Sequence, residues 1–339
     1  MPDHGSPRTC QRSLWPCGLI LLAVLVGTQL HDRSAEAAER TGPVKIGALT
    51  QSWGPTPQTI GLREGLVALG YREGEQFIIG VRFTQGNTAL LAEAAQGLIR
   101  DGADILFPVD ANSARAAQLA TTRVPIVFAT GGGDPVELGL VQSFARPGGN
   151  VTGVTDGDIE LSAKRLEIFK EMLPGLKRVL LPYNPDDPYA VKAARAYRDG
   201  ARQLGLVLVE KLVRTQEEAQ AMLSTLRKAE VDGIVVPSTL SLNIPGFALD
   251  ATSQRAIPTM FNGAFYVERG GLASYGPDPF ENGRQAARLV DKILRGEDPG
   301  RIPVEVNPRI ELAINMKTAK MLKLVIPPSV LQRANRLIE

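Results

Sequence analysis

The stretch ILFPVDANSARAAQLATTRVPIVFA, residues 105–129, contains two short apolar runs separated by an amphipathic segment. Continuous apolar runs such as Ile105–Val109 and Val124–Ala129 are typical of strands buried on both faces of a parallel sheet. The segment between them, about 112–121, has helical spacing of its apolar residues. Since parallel strands need a crossover connection, this stretch predicts a β-α-β unit.

The same alternation extends in both directions from this unit. A loop rich in proline and glycine, Arg146–Asn150, separates a first series from a second one, and a short strand Val151–Val154 follows it. With 339 residues, the chain also exceeds what one hydrophobic core comfortably supports. Two open α/β lobes are therefore expected. The first series adds strands Val44–Leu49 and Phe77–Phe83 with helices near 59–69 and 89–100; the second has strands Val179–Pro182, Leu206–Leu212, Gly233–Pro237 and Pro258–Phe261 with helices 188–204 and 216–229.

The N-terminus has the order of a secretory signal peptide. Arg8 and Arg12 precede an apolar run of 13 residues, Leu14–Val26, and small residues follow at Ala35 and Ala37. The run is shorter than the roughly 20 apolar residues that a spanning helix needs. Residues 1–37 are therefore predicted to be a signal peptide cleaved after Ala37, with retention as an anchor as the alternative, and the bacterial periplasm is the expected location.

The predicted cleavage removes every cysteine and histidine of the chain, namely His4, Cys10, Cys17 and His31. A chain without them has no disulfide, no thiol nucleophile, no histidine base and none of the usual zinc ligands. The net charge of +2 gives no sign of the basic patch that nucleic-acid binding needs. We therefore expect no metal, no cofactor and no nucleic-acid partner.

Candidate ligand-binding residues follow the strands, because ligands of open α/β sheets bind outside the carboxyl ends of the strands. Each residue also has a structural reading: Asn112 or Ser113 could cap a helix, Gly133 could turn the chain, and Asp187 could be a helix N-cap. Trp53 has little local core to join and is harder to explain structurally. The candidates are Gln51, Ser52, Trp53, Asp110, Asn112, Ser113, Gly133, Asp134, Tyr183, Asn184, Asp187, Ser238, Thr239 and Asn262.

A series of short motifs then carries a family resemblance across nearly the whole chain after residue 37. Each motif is weak alone, but their order and spacing are specific. The sequence resembles the ABC-transporter substrate-binding proteins related to the tryptophan- and tyrosine-binding lipoproteins, which have a type I periplasmic-binding-protein fold. The motifs are Arg63-Glu64-Gly65-Leu66, Gly133-Asp134-Pro135-Val136, 145–153 (ARPGGNVTG), Lys164-Arg165-Leu166, Tyr183-Asn184-Pro185, 274–278 (SYGPD) and 315–320 (NMKTAK).

The resemblance implies two doubly wound, Rossmann-like lobes joined by a hinge. It places residues 44–155 and about 276–310 in lobe 1 and residues 156–275 in lobe 2, and leaves 311–339 unassigned. It implies hinges near Val154–Asp156 and Tyr275–Asp278, and it adds Tyr275 and Asp278 to the ligand site. The implied partners are a small-molecule ligand and the permease and ATPase subunits of an importer, with the permease as the only link to the membrane.

The ligand implied by the resemblance is a small organic solute: an amino acid, an aromatic acid or another small carboxylate. One departure weakens the case for an aromatic amino acid, because residues 110–113 read Asp-Ala-Asn-Ser where relatives often have Gly-Thr-Pro-Ala. The alternative function is a periplasmic hydrolase that uses Asp134 and Asp187 as general acid and base. No catalytic motif supports it, so a protein without enzymatic activity is expected. A sugar-repressor relative would need a DNA-binding module where the signal peptide lies.

Overall fold

The computed structural model describes residues 42–130, 133–227, 229–237 and 245–339. The predicted signal peptide, residues 1–37, lies outside these ranges, as do Ser238 and Thr239. Within them, no helix is both long and apolar enough to cross a membrane.

The first lobe is built on a parallel sheet in the order β11-β5-β4-β3-β1-β2 within the described residues. Helices α1 and α9 cover one face of this sheet, and α2 and α3 cover the other. Its elements are β1 Val44–Thr50, α1 Pro57–Ala68, β2 Phe77–Phe83, α2 Leu91–Arg100, β3 Ile105–Pro108, α3 Ala111–Ala120, β4 Ile126–Thr130 and β5 Val151–Thr155, with the later α9 Pro279–Leu294 and β11 Glu305–Val306.

The second lobe has a sheet in the order β13-β12-β10-β9-β8-β6-β7, again within the described residues, and only β12 runs antiparallel to its neighbour β10. Its elements are α4 Ser162–Met172, β6 Arg178–Tyr183, α5 Pro188–Gln203, β7 Val207–Leu212, α6 Gln216–Thr225, β8 Gly233–Val235, α7 Pro245–Arg255, β9 Thr259–Phe261, α8 Ala264–Val267, β10 Ala273–Pro277, β12 Ile310–Asn315, α10 Met316–Met321, α11 Pro328–Leu331 and β13 Arg336–Ile338.

This architecture confirms the predicted α/β fold with two doubly wound lobes. The predicted helix 216–229 is shorter than expected: it ends at Thr225 because Leu226 is extended. The chain passes between the two sheets three times, after β5, after β10 and after β11. The last passage leads to β12 and β13, so the C-terminal segment that the sequence left unassigned adds two strands to the second sheet.

Glycines allow α9 to lie against α1 with the two backbones in contact. A Cβ added to Gly283 would lie 2.0 Å from the carbonyl oxygen of Gln58, and one added to Gly61 would lie 2.0 Å from the carbonyl oxygen of Phe280. No side chain fits at either position without moving a helix. Because α9 follows the second passage between the sheets, this contact fixes the returning chain on the first lobe.

We expect Gly283→Ala to lower the free energy of unfolding by about 1–3 kcal/mol, since a methyl group there would push α9 away from α1. Gly97→Ala is the matched control, because Gly97 lies within α2 and its added Cβ would meet only the end of Arg100, at 3.8 Å. That control should raise stability by up to about 1 kcal/mol through better helix propensity. Urea unfolding followed by circular dichroism measures both, and equal effects would contradict close packing at Gly283.

Candidate functional site

A cavity of about 560 Å³ lies between the two lobes and is lined by residues from both. The first lobe contributes Trp53 and the loop 84–88, which follow β1 and β2. The second contributes Asn184, Asp186 and the segment 213–217, which follow β6 and β7. Its volume is within the range of small-molecule sites. The carboxyl ends of strands from both sheets therefore face one shared cavity.

Asp110 organises the first-lobe side of the cleft. Its carboxylate accepts hydrogen bonds from the backbone N–H and side-chain amide of Gln51, at 3.2 and 2.9 Å, and from the backbone N–H and hydroxyl of Ser113, at 2.8 and 2.7 Å. A carboxylate has about four acceptor sites, so these four bonds use them. Asp110 thus caps α3 and ties it to the loop after β1.

Asp187 faces this group from the second lobe. It caps α5 by accepting a hydrogen bond from the backbone N–H of Tyr189 at 2.9 Å. Burial raises the pKa of Asp187 and the charge of Asp110 adds to that rise, while hydrogen bonds from the backbone and from the side chain of Asn112 oppose it. Asn112 belongs to α3 and lies close enough to Asp187 to lower its pKa, so the two lobes approach each other here.

The remaining predicted residues of the first lobe line or support this cleft. Trp53 lines the cavity with 40% of its surface exposed, and the Ser52 hydroxyl donates to the carbonyl of Gly54 at 2.7 Å. Gly133 has φ of +101°, a conformation that favours glycine. Asp134 accepts a hydrogen bond from the backbone N–H of Val136 at 2.7 Å, so its carboxylate stabilises a turn.

In the second lobe, some predicted residues lie away from the described lining of the cavity. Asn184 lines it, but the side chain of Tyr183 packs against the core of its own lobe. Tyr275 is partly buried against the same core. Asn262 is buried at the end of β9, and Asp278 caps α9 through the backbone N–H of Phe280. Ser238 and Thr239 lie outside the described residues.

The sequence analysis missed two loops of the cavity, those that follow the edge strands β2 and β7. The loop after β2 is held in place by hydrogen bonds from Thr84 N–H to the Thr50 carbonyl, at 3.1 Å, and from Gly86 N–H to the Gln51 carbonyl, at 2.7 Å. Gln85, between them, has φ of +54°. The strand-end rule that selected the other loops applied equally to these two and would have found them.

Buried amides connect the passages between the lobes. Asn282 of α9 donates to the Asp156 carboxylate at 2.6 Å and accepts from the Asn307 side chain at 2.8 Å. The backbone N–H of Asn307 donates to the Thr155 carbonyl at 2.8 Å. The first passage, after β5, and the third, after β11, are therefore joined to each other and to the helix that follows the second.

Arg165 connects the ends of two passages inside the second lobe. Its guanidinium, which is 1% exposed, donates to the Asp158 carboxylate at 2.6 Å, to the Tyr197 hydroxyl at 2.7 Å and to the Tyr275 carbonyl at 2.7 Å. Asp158 lies just after the first passage and Tyr275 just before the second. One buried side chain thus holds the second-lobe ends of two passages together.

Burial raises the pKa of Asp278 to about 6 from an ordinary value of 3.8, and the carboxylates of Glu311, Glu281 and Glu268 act in the same direction against the capping hydrogen bond from Phe280. The folded state therefore holds a proton that the unfolded chain releases at lower pH. It follows that Asp278 makes the protein less stable as the pH rises from about 4 through 6.

We expect Asp278→Asn to abolish this contribution while keeping a good N-cap oxygen. The variant should match the parent at pH 4 and exceed it by about 1–3 kcal/mol in free energy of unfolding at pH 7. Urea titrations at several pH values measure this difference. A difference that does not change with pH would show that Asp278 titrates normally.

Comparison with known proteins identifies relatives over nearly the whole described chain. A family model for ABC transporter substrate-binding proteins matches residues 54–338. The tyrosine-binding protein of Clostridioides difficile (strain R20291) is 28% identical over 319 residues, which cover 91% of each chain. A conserved domain protein of Vibrio cholerae O1 biovar El Tor is 32% identical, with a TM-score of 0.73 over 88% of this chain and 100% of that one.

Two further solved structures differ in ligand state. An ABC domain from Streptococcus pneumoniae in complex with L-Trp is 26% identical, with a TM-score of 0.73 over 86% of this chain and 100% of that one. A ligand-free, open substrate-binding protein from Clostridium difficile is also 26% identical but has a TM-score of 0.56 over 87% of this chain and 99% of that one. Together with the match over residues 54–338, these relatives establish that the chain belongs to the family of ABC transporter substrate-binding proteins.

Proposed function

We propose that the protein is the solute-binding component of an ABC importer, which traps a small amino-acid-like or aromatic carboxylate in the cleft and delivers it to a permease with its ATPase. The observation that carries this proposal is the cavity of about 560 Å³ with walls from both lobes. Binding there would draw the lobes together, because one ligand contacts both walls. Membership of the family supports the transport role.

The ligand class follows from the side chains that line the cavity. Asp110 already accepts four hydrogen bonds, so it has a structural role where relatives often have glycine. Its presence therefore leaves aromatic amino acids among the candidate ligands. Asp187 likewise caps α5. An amino acid would then place its apolar side chain near Trp53 and its polar groups near Asn184 and Arg214, which also line the cavity. Relatives described with tyrosine and L-Trp make these two the first compounds to test.

The same contacts argue against the hydrolase alternative. It requires Asp134 and Asp187 to exchange protons with a substrate, and both carboxylates accept hydrogen bonds from backbone N–H groups that they cap. Such bonds hold each carboxylate in place as the cap of a helix or turn. A binding protein without enzymatic activity accounts for both residues without further assumptions.

Binding is tested first by thermal shift with L-tryptophan, L-tyrosine, other amino acids and aromatic acids. A compound at 100 times its Kd stabilises a protein by about 2.7 kcal/mol, which gives a clear rise in Tm. A rise with at least one of these compounds supports the proposed function. No rise with any of them, at millimolar concentration, would contradict it.

For export, we expect protein from the periplasmic fraction to begin at Ala38, because Ala35 and Ala37 are small residues two apart after the apolar run. Intact-mass spectrometry measures this directly. Ala37→Arg should block cleavage and leave the full-length chain in the membrane fraction. Unprocessed parent protein in that fraction would instead indicate that residues 1–37 are retained as an anchor.

Trp53 provides an intrinsic probe of the cleft, since Trp15 is the other tryptophan and leaves with the predicted signal peptide. A ligand that covers Trp53 should move its indole to a drier environment and shift its fluorescence emission. We expect Trp53→Ala to weaken binding by about 1–3 kcal/mol. Leu119→Ala is the control, because Leu119 is 74% exposed on α3 and is not among the described residues that line the cavity. Equal affinities for both variants in calorimetry would remove Trp53 from the site.

A further inference from the structure

The first turns of α5 contact the opposite lobe at three positions. Asp187, at the N-cap, lies close enough to Asn112 of α3 for this side chain to affect its pKa. The ring of Tyr189 lies against the loop after β4, because a Cβ added to Gly133 would be 3.7 Å from it. Lys192 donates from Nζ to the Oε2 atom of Glu137 at 2.7 Å. One helix face of the second lobe therefore makes direct protein contacts with the first.

Of these three residues of α5, Lys192 is the one that interacts with carboxylates from both lobes. The hydrogen bond to Glu137 raises the pKa of Lys192 against the effect of burial, and the charges of Glu137, Glu160 and Asp134 add to the rise. Glu137 and Asp134 belong to the first lobe, whereas Glu160 lies in the second, just before α4. A single cation thus lies among three carboxylates that come from both sides of the cleft.

Separation of the lobes changes this balance in one direction. On opening, Lys192 would stay near Glu160 but move away from Glu137 and Asp134. The loss of this electrostatic attraction raises the free energy of the open state. A neutral side chain at position 192 would remove this attraction across the cleft and make opening easier. The side chains of Lys192 and Glu137 are 46% and 66% exposed, so both can be rehydrated when the contact breaks.

We propose that Lys192 determines ligand affinity from outside the cavity by stabilising the closed arrangement of the lobes before any ligand binds. This inference rests on the proposed function, in which ligand is held between the lobes. The apparent affinity of a ligand falls in proportion to the fraction of protein that is competent to bind it. Lys192 is a positioning residue in this account and does not itself touch the ligand.

The expected effect is modest because the ion pair is exposed. Pairs of this kind change an equilibrium by up to about fivefold, and salt screens them. The ratio of closed to open protein should therefore fall about two- to fivefold in Lys192→Met. High salt should reduce the same ratio in the parent protein and have little effect in the variant.

The experiment measures the distance between the lobes without ligand. Spin labels are attached to Val67→Cys in α1 and Val207→Cys in β7, both of which are exposed positions. Labelling is specific once Cys10 and Cys17 are absent, through cleavage or substitution by serine. Pulsed electron paramagnetic resonance then gives the populations of the closed and open distances for the parent protein, Lys192→Met and Lys192→Arg.

Lys164→Met is the matched control, because Lys164 pairs with Glu167 within α4 at 2.7 Å and this pair does not cross the cleft. We expect Lys192→Met to shift the population toward the open distance, Lys192→Arg to restore it, and Lys164→Met to leave it unchanged. A charge exchange, Lys192→Glu with Glu137→Lys, should recover part of the closed population. All variants should keep the parent Tm within about 2 °C, since surface substitutions are nearly neutral for folding.

An unchanged distance distribution in Lys192→Met would overturn the proposal, and so would an equal shift in Lys164→Met. Neither result would affect the proposed function, which stands or falls with ligand binding in the thermal-shift assay. Conversely, Lys192→Met could shift the protein toward the open distance even though the protein binds none of those compounds. Lys192 would then stabilise the closed arrangement, but the proposed role in ligand affinity would be overturned.

Discussion

The return of the chain to its first lobe is the constraint on which the rest of the structure depends. After building most of the second sheet, the chain must place α9 back on the first one, and it does so by pressing the backbone of α9 against that of α1 at Gly61 and Gly283. This contact fixes where the second passage between the lobes ends, and the third begins from β11 in the same lobe. The passages lie side by side as a consequence, and buried bonds from Asn282 and Asn307 hold them together.

The cleft is thereby defined by strand ends whose polar groups are largely occupied. Asp110, Asp134 and Asp187 all accept hydrogen bonds from backbone N–H groups at the starts of helices or turns. The carboxylates that the sequence offered as candidate site residues therefore position the loops. A ligand would meet an aromatic wall at Trp53, the amide of Asn184, the ion pair of Arg214 with Asp186 and the carboxylate of Glu217. Such a surface suits reversible binding of a small polar molecule with an apolar part.

The sequence predicted the architecture well because buried parallel strands appear as continuous apolar runs, and β1, β3 and β4 are of this kind. It predicted the site only in part. A strand-end position does not reveal whether the side chain turns toward the cleft, and Tyr183 proves to pack against the core of its own lobe. The cap that Asp110 forms on α3 is local, through Ser113 three residues on, but its bond to Gln51, 59 residues away, could not be recognised from spacing. The edge strands β2 and β7 are partly exposed, and the loops after them, which line the cavity, were not among the predicted site segments.

The distribution of charge between buried and exposed places is consistent with a protein that opens and closes. Separating a buried ion pair leaves charges without water, which costs several kcal/mol. The buried pair of Arg165 and Asp158 lies wholly within the second lobe, so movement of the lobes need not break it. At the passages themselves, the bridging donors are the neutral amides of Asn282 and Asn307. The ion pair that spans the cleft, by contrast, is exposed, and water can replace either partner. The bonds within the second lobe and at the passages are therefore buried, whereas the charged contact across the cleft is accessible to solvent.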